Sequence, residues 1–337
     1  MHLIFCYTAQ NLPSYLKYTF KQVRLFNPNI SIYFITNQDK VDPEIINQNI
    51  KVINTKDLKM TEKHKIFKEK NIMQQIPTAG ITPDFFWTYS TERFFYIEEL
   101  VEKYNLIDFF QIECDQCIYY NFENLEDSIK LSKSCHMVCS DRENHALSNA
   151  ISYFKNLNII QKYTDFIAET VVKPKNDIIR LFNTNNIPGN ALCQINDMCL
   201  TLLYYRLNKN TIINGLKLMS LFPALPFNES IDILDESNQN FNNFGIIFDG
   251  AHLGMHAGGW PKHLRGTATG KNTKGPGHMD SAYFIGRLLI NNRLKLKWGK
   301  DKNNKKIPLI YDTQTKKETQ ITNLHIHCKE MEKFISL

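Results

Sequence analysis

The chain has 337 residues, 43% of them hydrophobic, 12% aromatic and 22% charged. That is enough apolar material for one large packed domain and leaves no room for long disorder. Lys and Arg number 40 against 34 Asp and Glu, a net +6. The excess is scattered apart from Lys262–Arg265, Lys271–Lys274 and Lys300–Lys306, which suits an enzyme holding a diphosphate and argues against a nucleic-acid partner.

Met1–Tyr7 lacks a basic leader and a long apolar run, so it reads as a first strand and not as a signal peptide. A helix follows from Pro13, with Leu16, Phe20, Val23 and Phe26 on one face, and stops at Asn27-Pro28. Ile30–Ile35 and Ile50–Ile53 are short apolar strands. A longer helical pattern covers Phe85–Tyr104, and Leu106–Ile112 is a buried strand. Strands alternating with helices of this size predict an α/β, Rossmann-like, mostly parallel central sheet flanked by helices. Ligands then sit beyond the carboxyl ends of the strands. The middle, Asn144–Tyr205, reads as mostly helical with breaks at Lys173-Pro174 and Pro188-Gly189. Phe244–Phe248 reads as a strand and Gly254–Gly277 as a glycine-rich loop. Leu294–Trp298 and Lys306–Tyr311 form a β-hairpin, Leu324–His327 a last strand and Lys329–Phe334 a terminal helix. No run approaches the roughly 18 apolar residues that cross a membrane. The expectation is a soluble, cytoplasmic chain, or one in the host cytoplasm if the source is a virus.

Eight cysteines are present, with Cys114 and Cys117 in C-x-x-C spacing and Cys135 and Cys139 in C-x3-C. A zinc site is one reading. These cysteines lie inside apolar, strand-like runs, so buried reduced thiols are the preferred one.

The chemistry concentrates where the buried strand Asp108–Ile112 runs into Glu113-Cys114-Asp115. Acids beside a core strand are costly unless a cation or donor satisfies them. Spaced i, i+2 at a strand's carboxyl end, they can hold Mg²⁺ or Mn²⁺ against a diphosphate; the alternative is two acids facing solvent. The first strand–helix turn, Tyr7–Pro13, should cradle a nucleotide through Thr8, with Asn37 nearby after the second strand. Arg93, on the helix feeding the acidic strand, can pair with the diphosphate or with Glu92 or Glu98 at the surface. Asp197, near the start of the helix carrying Leu200, Leu203 and Tyr204, is placed to take a proton from an acceptor hydroxyl; the plainer reading is a capping Asp. Asp249 closes a strand and is the alternative base. Neither a G-x-G-x-x-G nor a P-loop is present, which disfavours dinucleotide enzymes and P-loop NTPases.

The run Trp87–Ile97 (WTYSTERFFYI), the rest of its helix, and Phe109–Tyr119 (FFQIECDQCIY) resemble a family of GT-A-fold glycosyltransferases, largely uncharacterised, from bacteria and large viruses. Ile195–Leu200, Phe248–Gly254 and Asn323–Lys329 (NLHIHCK) are similar to later parts of that family, in the same order. The resemblance implies a GT-A-like fold with a helical insertion and a C-terminal β-hairpin, and one catalytic domain over 1–337. Within it, 1–120 would bind the nucleotide-sugar, 121–260 would face the acceptor, and 261–337 would hold the basic loop, the hairpin and a donor-site strand. It also implies a UDP- or GDP-sugar donor, Mn²⁺ or Mg²⁺, and a glycan or other hydroxyl acceptor. Asp115 would bind the metal directly, and Glu113 would meet the metal's water shell or the ribose. A later His would be a further metal ligand, with His325 and His327, on one face of their strand, as the candidates, and Lys329 would hold the β-phosphate. Glu113 stands where many relatives have Asp, and Met255-His256 where they tend toward Gln-Tyr. Two other readings stay open. A nucleotidyltransferase could share such a sheet, but residues 8–13 contain no Gly, Lys or Arg. A non-catalytic carbohydrate-binding domain is the third.

Overall fold

A computed structural model describes residues 1–9, 11–75, 86–141, 146–187, 195–223, 240–259 and 294–336. The first half alternates strand and helix: β1 (His2–Tyr7), α1 (Leu16–Phe26), β2 (Ser31–Thr36), α2 (Pro43–Ile46), β3 (Lys51–Asn54), α3 (Glu62–Lys70), α4 (Phe86–Tyr104), β4 (Phe109–Ile112) and β5 (Gln116–Ile118). Then come α5 (Glu126–Ser132), β6 (His136–Asp141), β7 (Ala146–Phe154), α6 (Leu157–Val171), α7 (Lys175–Thr184) and α8 (Asp197–Asn208). The remainder is β8 (Ile212–Ile213), β9 (Leu216–Lys217), β10 (Ser220–Leu221), β11 (Leu294–Lys300), β12 (Lys306–Asp312), β13 (Glu318–Gln320) and β14 (Asn323–His325).

Seven strands form the central sheet in the order β10-β6-β7-β4-β1-β2-β3. All are parallel except β7, which runs against both β4 and β6. The expected mostly parallel sheet flanked by helices is therefore present. Both faces are buried: Leu3 and Phe5 of β1 and Phe110 and Ile112 of β4 face one apolar cluster, while Ile4 and Phe109 face the other. α1 covers the first face with Phe20 and Val23, and α4 and α6 cover the second with Phe94, Leu100 and Ile160. Helix α4 holds without Gly or Pro for 19 residues. It stops at Asn105, whose φ of 50° is left-handed and suits a helix C-terminus.

Several sequence expectations give way. Residues 146–154 are a strand and not part of a helical stretch. Its described positions are buried, so it shows no apolar-polar alternation to mark it. Phe244–Phe248 is no strand: Gly245 sits at φ 65° and interrupts the run, leaving one bridge from Ile247 to Ile321. The terminal helix reduces to a single 3₁₀ turn at Met331–Lys333. The expected hairpin exists as β11 and β12, antiparallel from Leu294 opposite Asp312 to Lys300 opposite Lys306, with β13 added. The glycine-rich stretch from 260 onward, Pro188-Gly189 and Cys193 lie outside the described residues. Cys114, Cys117, Cys135 and Cys139 are buried and in no disulfide. Among the described residues no helix is long and apolar enough to cross a membrane.

Candidate functional site

Strand order changes direction at β1. From there the chain moves outward to β2 and β3 on one side, while β4 pairs on the other. The carboxyl ends of β1 and β4, beside this switch in strand order, are where parallel α/β sheets place their ligands. Glu113, Cys114 and Asp115 emerge there. Helix α1 holds this segment from below: Thr19 donates to the Cys114 carbonyl at 2.7 Å and Gln22 to the Ile118 carbonyl at 2.8 Å. Beside it β5 pairs antiparallel with β14, His325 lying opposite Gln116, and the Ile326 N–H donates to the Asp115 carbonyl at 2.9 Å.

That pairing brings His325 onto the two acids. Its Nε2 lies 3.0 Å from an Asp115 carboxylate oxygen and 3.5 Å from Glu113. Its Nδ1 is 3.2 Å from the Gly250 carbonyl. A carbonyl only accepts, so Nδ1 carries a proton and Nε2 is the nitrogen turned to the carboxylates. A backbone carbonyl orienting the far nitrogen is the usual support of a metal-binding histidine. One donor atom from each of Glu113, Asp115 and His325 fits within 4.8 Å of the others, and this is the only such group among the described residues. Two carboxylates and an imidazole suit Mn²⁺, and Mg²⁺ with more of its own water. The residues present therefore fit the divalent cation expected from the sequence.

Protein cations balance these acids. Asp115 is held well below the usual carboxylate range: burial opposes its charge, and His325 and then Lys329 more than offset that. His325 stands at about 9, because Asp115 beside it outweighs its burial. The Lys329 ammonium is bonded to the Asp115 oxygen that His325 also meets. His327 is a different case. Its ring stacks on His325 at 4.0 Å, burial pulls its pKa well down, and its buried Nε2 has no hydrogen-bond partner. It is not among the grouped donor atoms.

Arg93 reaches the site, but not as a surface partner of Glu92 or Glu98. One guanidinium nitrogen meets Glu113 at 2.6 Å and another meets Asp197 at 2.9 Å, and the side chain is 9% exposed. Asp197 is the first residue of α8; the cap is Asn196, whose side chain accepts from the Cys199 N–H. The Asp197 carboxylate does not project into open space. It lies under Arg93, with Ser90 at 3.3 Å and Asn149 at 3.4 Å. Burial pushes its pKa up, and Arg93 pulls it partly back. Asp249 stands apart: its carboxylate accepts the backbone N–H groups of Leu253, Gly254 and His325 at 2.9, 2.7 and 2.9 Å. Thr8 and Asn37 meet each other, the Asn37 amide donating to the Thr8 carbonyl at 2.7 Å, so the first turn and the end of β2 form one wall.

The sequence reading missed Ser90, Asn149 and Asn323. Ser90 lies three residues before Arg93, so helical spacing carries that signal. Asn149 is in the strand that was read as helix. Asn323, which opens the NLHIHCK run, donates to Gln116 and to the Asp249 carbonyl, both at 2.8 Å, partners too distant in sequence for the run to name.

No protein-family model and no curated protein matches the chain. Among solved structures it is similar to apo mouse xyloside xylosyltransferase 1, with 9% identity over 66% of this chain and 84% of that one and a TM-score of 0.42. An active-site mutant of LgtC is similar at 12% identity over 71% and 83%, TM-score 0.41. A cytidylyltransferase from Leptospira borgpetersenii is similar at 9% identity over 68% and 77%, TM-score 0.34. At such values none of these likenesses bears on activity.

Proposed function

We propose that the chain is a glycosyltransferase of the GT-A type, moving a sugar from a UDP- or GDP-sugar to a hydroxyl of a glycan or other acceptor. The supporting observation is the group of Glu113, Asp115 and His325 at the strand-order switch, with His325 oriented by the Gly250 carbonyl. Residues 1–337 then act as one catalytic unit, since the donor site draws on both ends of the chain. A bound Mn²⁺ or Mg²⁺ would neutralise charge developing on the leaving nucleoside diphosphate. Thr8 and Asn37 line the nucleotide side, and Lys329 offers an ammonium to the β-phosphate. Arg93 fixes Glu113 and Asp197 relative to one another.

In transfer, the bond from the sugar's anomeric carbon to the diphosphate oxygen breaks and the acceptor oxygen takes its place. The acceptor proton is assigned to Asp197, whose Oδ1 accepts only from Ser90 and which, at 2% exposure, must be uncovered from Arg93 as the acceptor binds. Asp249 does not serve as that base, because its oxygens already accept three backbone donors; it holds β14, and so His325, in place. The test is a thermal-shift and product assay with UDP-, GDP- and CMP-linked sugars, with and without Mn²⁺. Asp115→Asn should abolish both transfer and metal-dependent nucleotide binding while the protein still melts cooperatively. Metal-dependent donor binding that survives in Asp115→Asn would sink the assignment.

A further inference from the structure

We infer that Lys329 is a built-in counter-cation which must leave Asp115 when a divalent ion enters and is then handed to the diphosphate. This rests on the metal reading given above. The Lys329 ammonium and His325 Nε2 both sit on Asp115 Oδ2, and Asp115 is one of the three grouped residues. An ion bound there comes within about 2.2 Å of the oxygen. An ammonium left on the same oxygen would sit beside the ion as a like charge and weaken its hold.

The chain around Lys329 permits the exchange. Its backbone is fixed: the Lys329 N–H donates to the Ile326 carbonyl at 3.1 Å, and φ is 62°. Its side chain is 45% exposed, with four methylenes between the fixed Cα and the charge, so the ammonium can swing while the backbone stays. The ammonium also lies 6.0 Å from the ring of Tyr15, the residue just before α1. Asp115, 8% exposed, has no such freedom and keeps its place as the ligand. The metal thus displaces Lys329 and frees its charge, and an anionic diphosphate captures that charge. The two ligands bind with positive coupling, and each raises the affinity of the other by the same factor.

The experiment is isothermal titration of the full chain with Mn²⁺ alone, with UDP and GDP alone, and with each nucleotide at saturating Mn²⁺. Lys329→Gln should bind Mn²⁺ alone more tightly than wild type and nucleotide at saturating Mn²⁺ more weakly. The coupling, expected between about 5- and 150-fold in wild type, should be smaller in Lys329→Gln, leaving only the direct attraction of the ion for the diphosphate. Lys329→Arg keeps the charge and should follow wild type for Mn²⁺. If wild type binds no Mn²⁺, the metal reading fails and the exchange with it. If wild type binds Mn²⁺ and Lys329→Gln, melting as wild type does, binds it equally or less well, the exchange alone is overturned.

Discussion

Arg93 stands between two carboxylates, Glu113 at the metal group and Asp197 at the start of α8, and is nearly buried while doing so. Burial works against its charge, and Glu113 followed by Asp197 more than offsets this. Removing one partner of such a pair leaves the other charge uncompensated, so each of the three residues depends on the other two. Asp197 still has a distinct duty to test. Its Oδ1 receives only the 3.3 Å contact from Ser90, which leaves lone pairs for an acceptor hydroxyl. Asp197→Ala is expected to cut single-turnover transfer by about 10²-fold or more, the usual contribution of a positioned base, with donor affinity changed far less. Donor titration beside single-turnover kinetics separates the cases. Normal chemistry in a destabilised Asp197→Ala protein would reduce Asp197 to a structural partner of Arg93.

Among the elements, those that read clearly were the ones whose burial has a simple period. The helix α1 shows one apolar stripe, and β1, β2 and β4 are short apolar runs buried on both faces. Strand β7 was hidden because Ser148, Asn149 and Ser152 are buried polar residues inside it, a pattern that neither period describes. The turn at His252–Gly254 was hidden differently, at the edge of the stretch from Gly254 that reads as a loop. Its place is fixed by contact: a Cβ added to Gly254 would stand 2.0 Å from the His325 carbonyl oxygen, so only glycine lets this turn lie against β14. Gly254→Ala is therefore expected to cost about 1–3 kcal/mol of stability and, by moving His325, to weaken Mn²⁺ binding by about 10- to 100-fold. Urea unfolding and metal titration measure the two. An alanine variant unchanged in both would mean that the turn does not hold the histidine. The contact of α3 with α4 contributes a second device. His64 puts Nδ1 2.8 Å from Glu99 and Nε2 3.1 Å from Glu92. Carboxylates only accept, so both nitrogens donate and the buried ring is an imidazolium. Lys68 and Tyr96 also meet the same Glu92 oxygen. Burial lowers the His64 pKa, but Glu92 and Glu99 together raise it above the ordinary 6.5. A group with a raised folded pKa stabilises fully below its unfolded value and loses that contribution as pH rises through the folded one. His64→Gln should thus cost about 3 kcal/mol near pH 6, and the gap to wild type should narrow as pH rises above 6.5. A gap that widens with pH would reverse the assignment.

Across the whole molecule, the metal group joins segments distant in sequence, since His325 and Asp115 are 210 residues apart. Residues 321–334 anchor in the core rather than forming an appendage. Leu324, Ile326 and Phe334 are fully buried, the Tyr119 hydroxyl donates to the Phe334 carbonyl at 2.8 Å, and Ser336 exchanges hydrogen bonds with Gln22 of α1. Truncation near residue 320 would therefore remove core and site together, so point substitutions are the informative test. The sequence motif offered two histidines as ligands without choosing. The geometry separates them, His325 facing the carboxylates with an oriented Nε2 and His327 stacked beneath it. An ion that binds the folded chain but not the unfolded one stabilises by mass action, about 2.7 kcal/mol at a hundredfold excess over its Kd. Mn²⁺ is therefore expected to raise the melting temperature by several degrees, in a concentration-dependent way, with no nucleotide present. His325→Ala should lose that rise entirely, because it removes one of three ligands. His327→Ala should keep most of it while lowering the starting temperature, since it removes buried packing and no ligand atom. Equal loss in both variants would make His327 a ligand as well, and a full rise in His325→Ala would place the ion somewhere other than between β4 and β14.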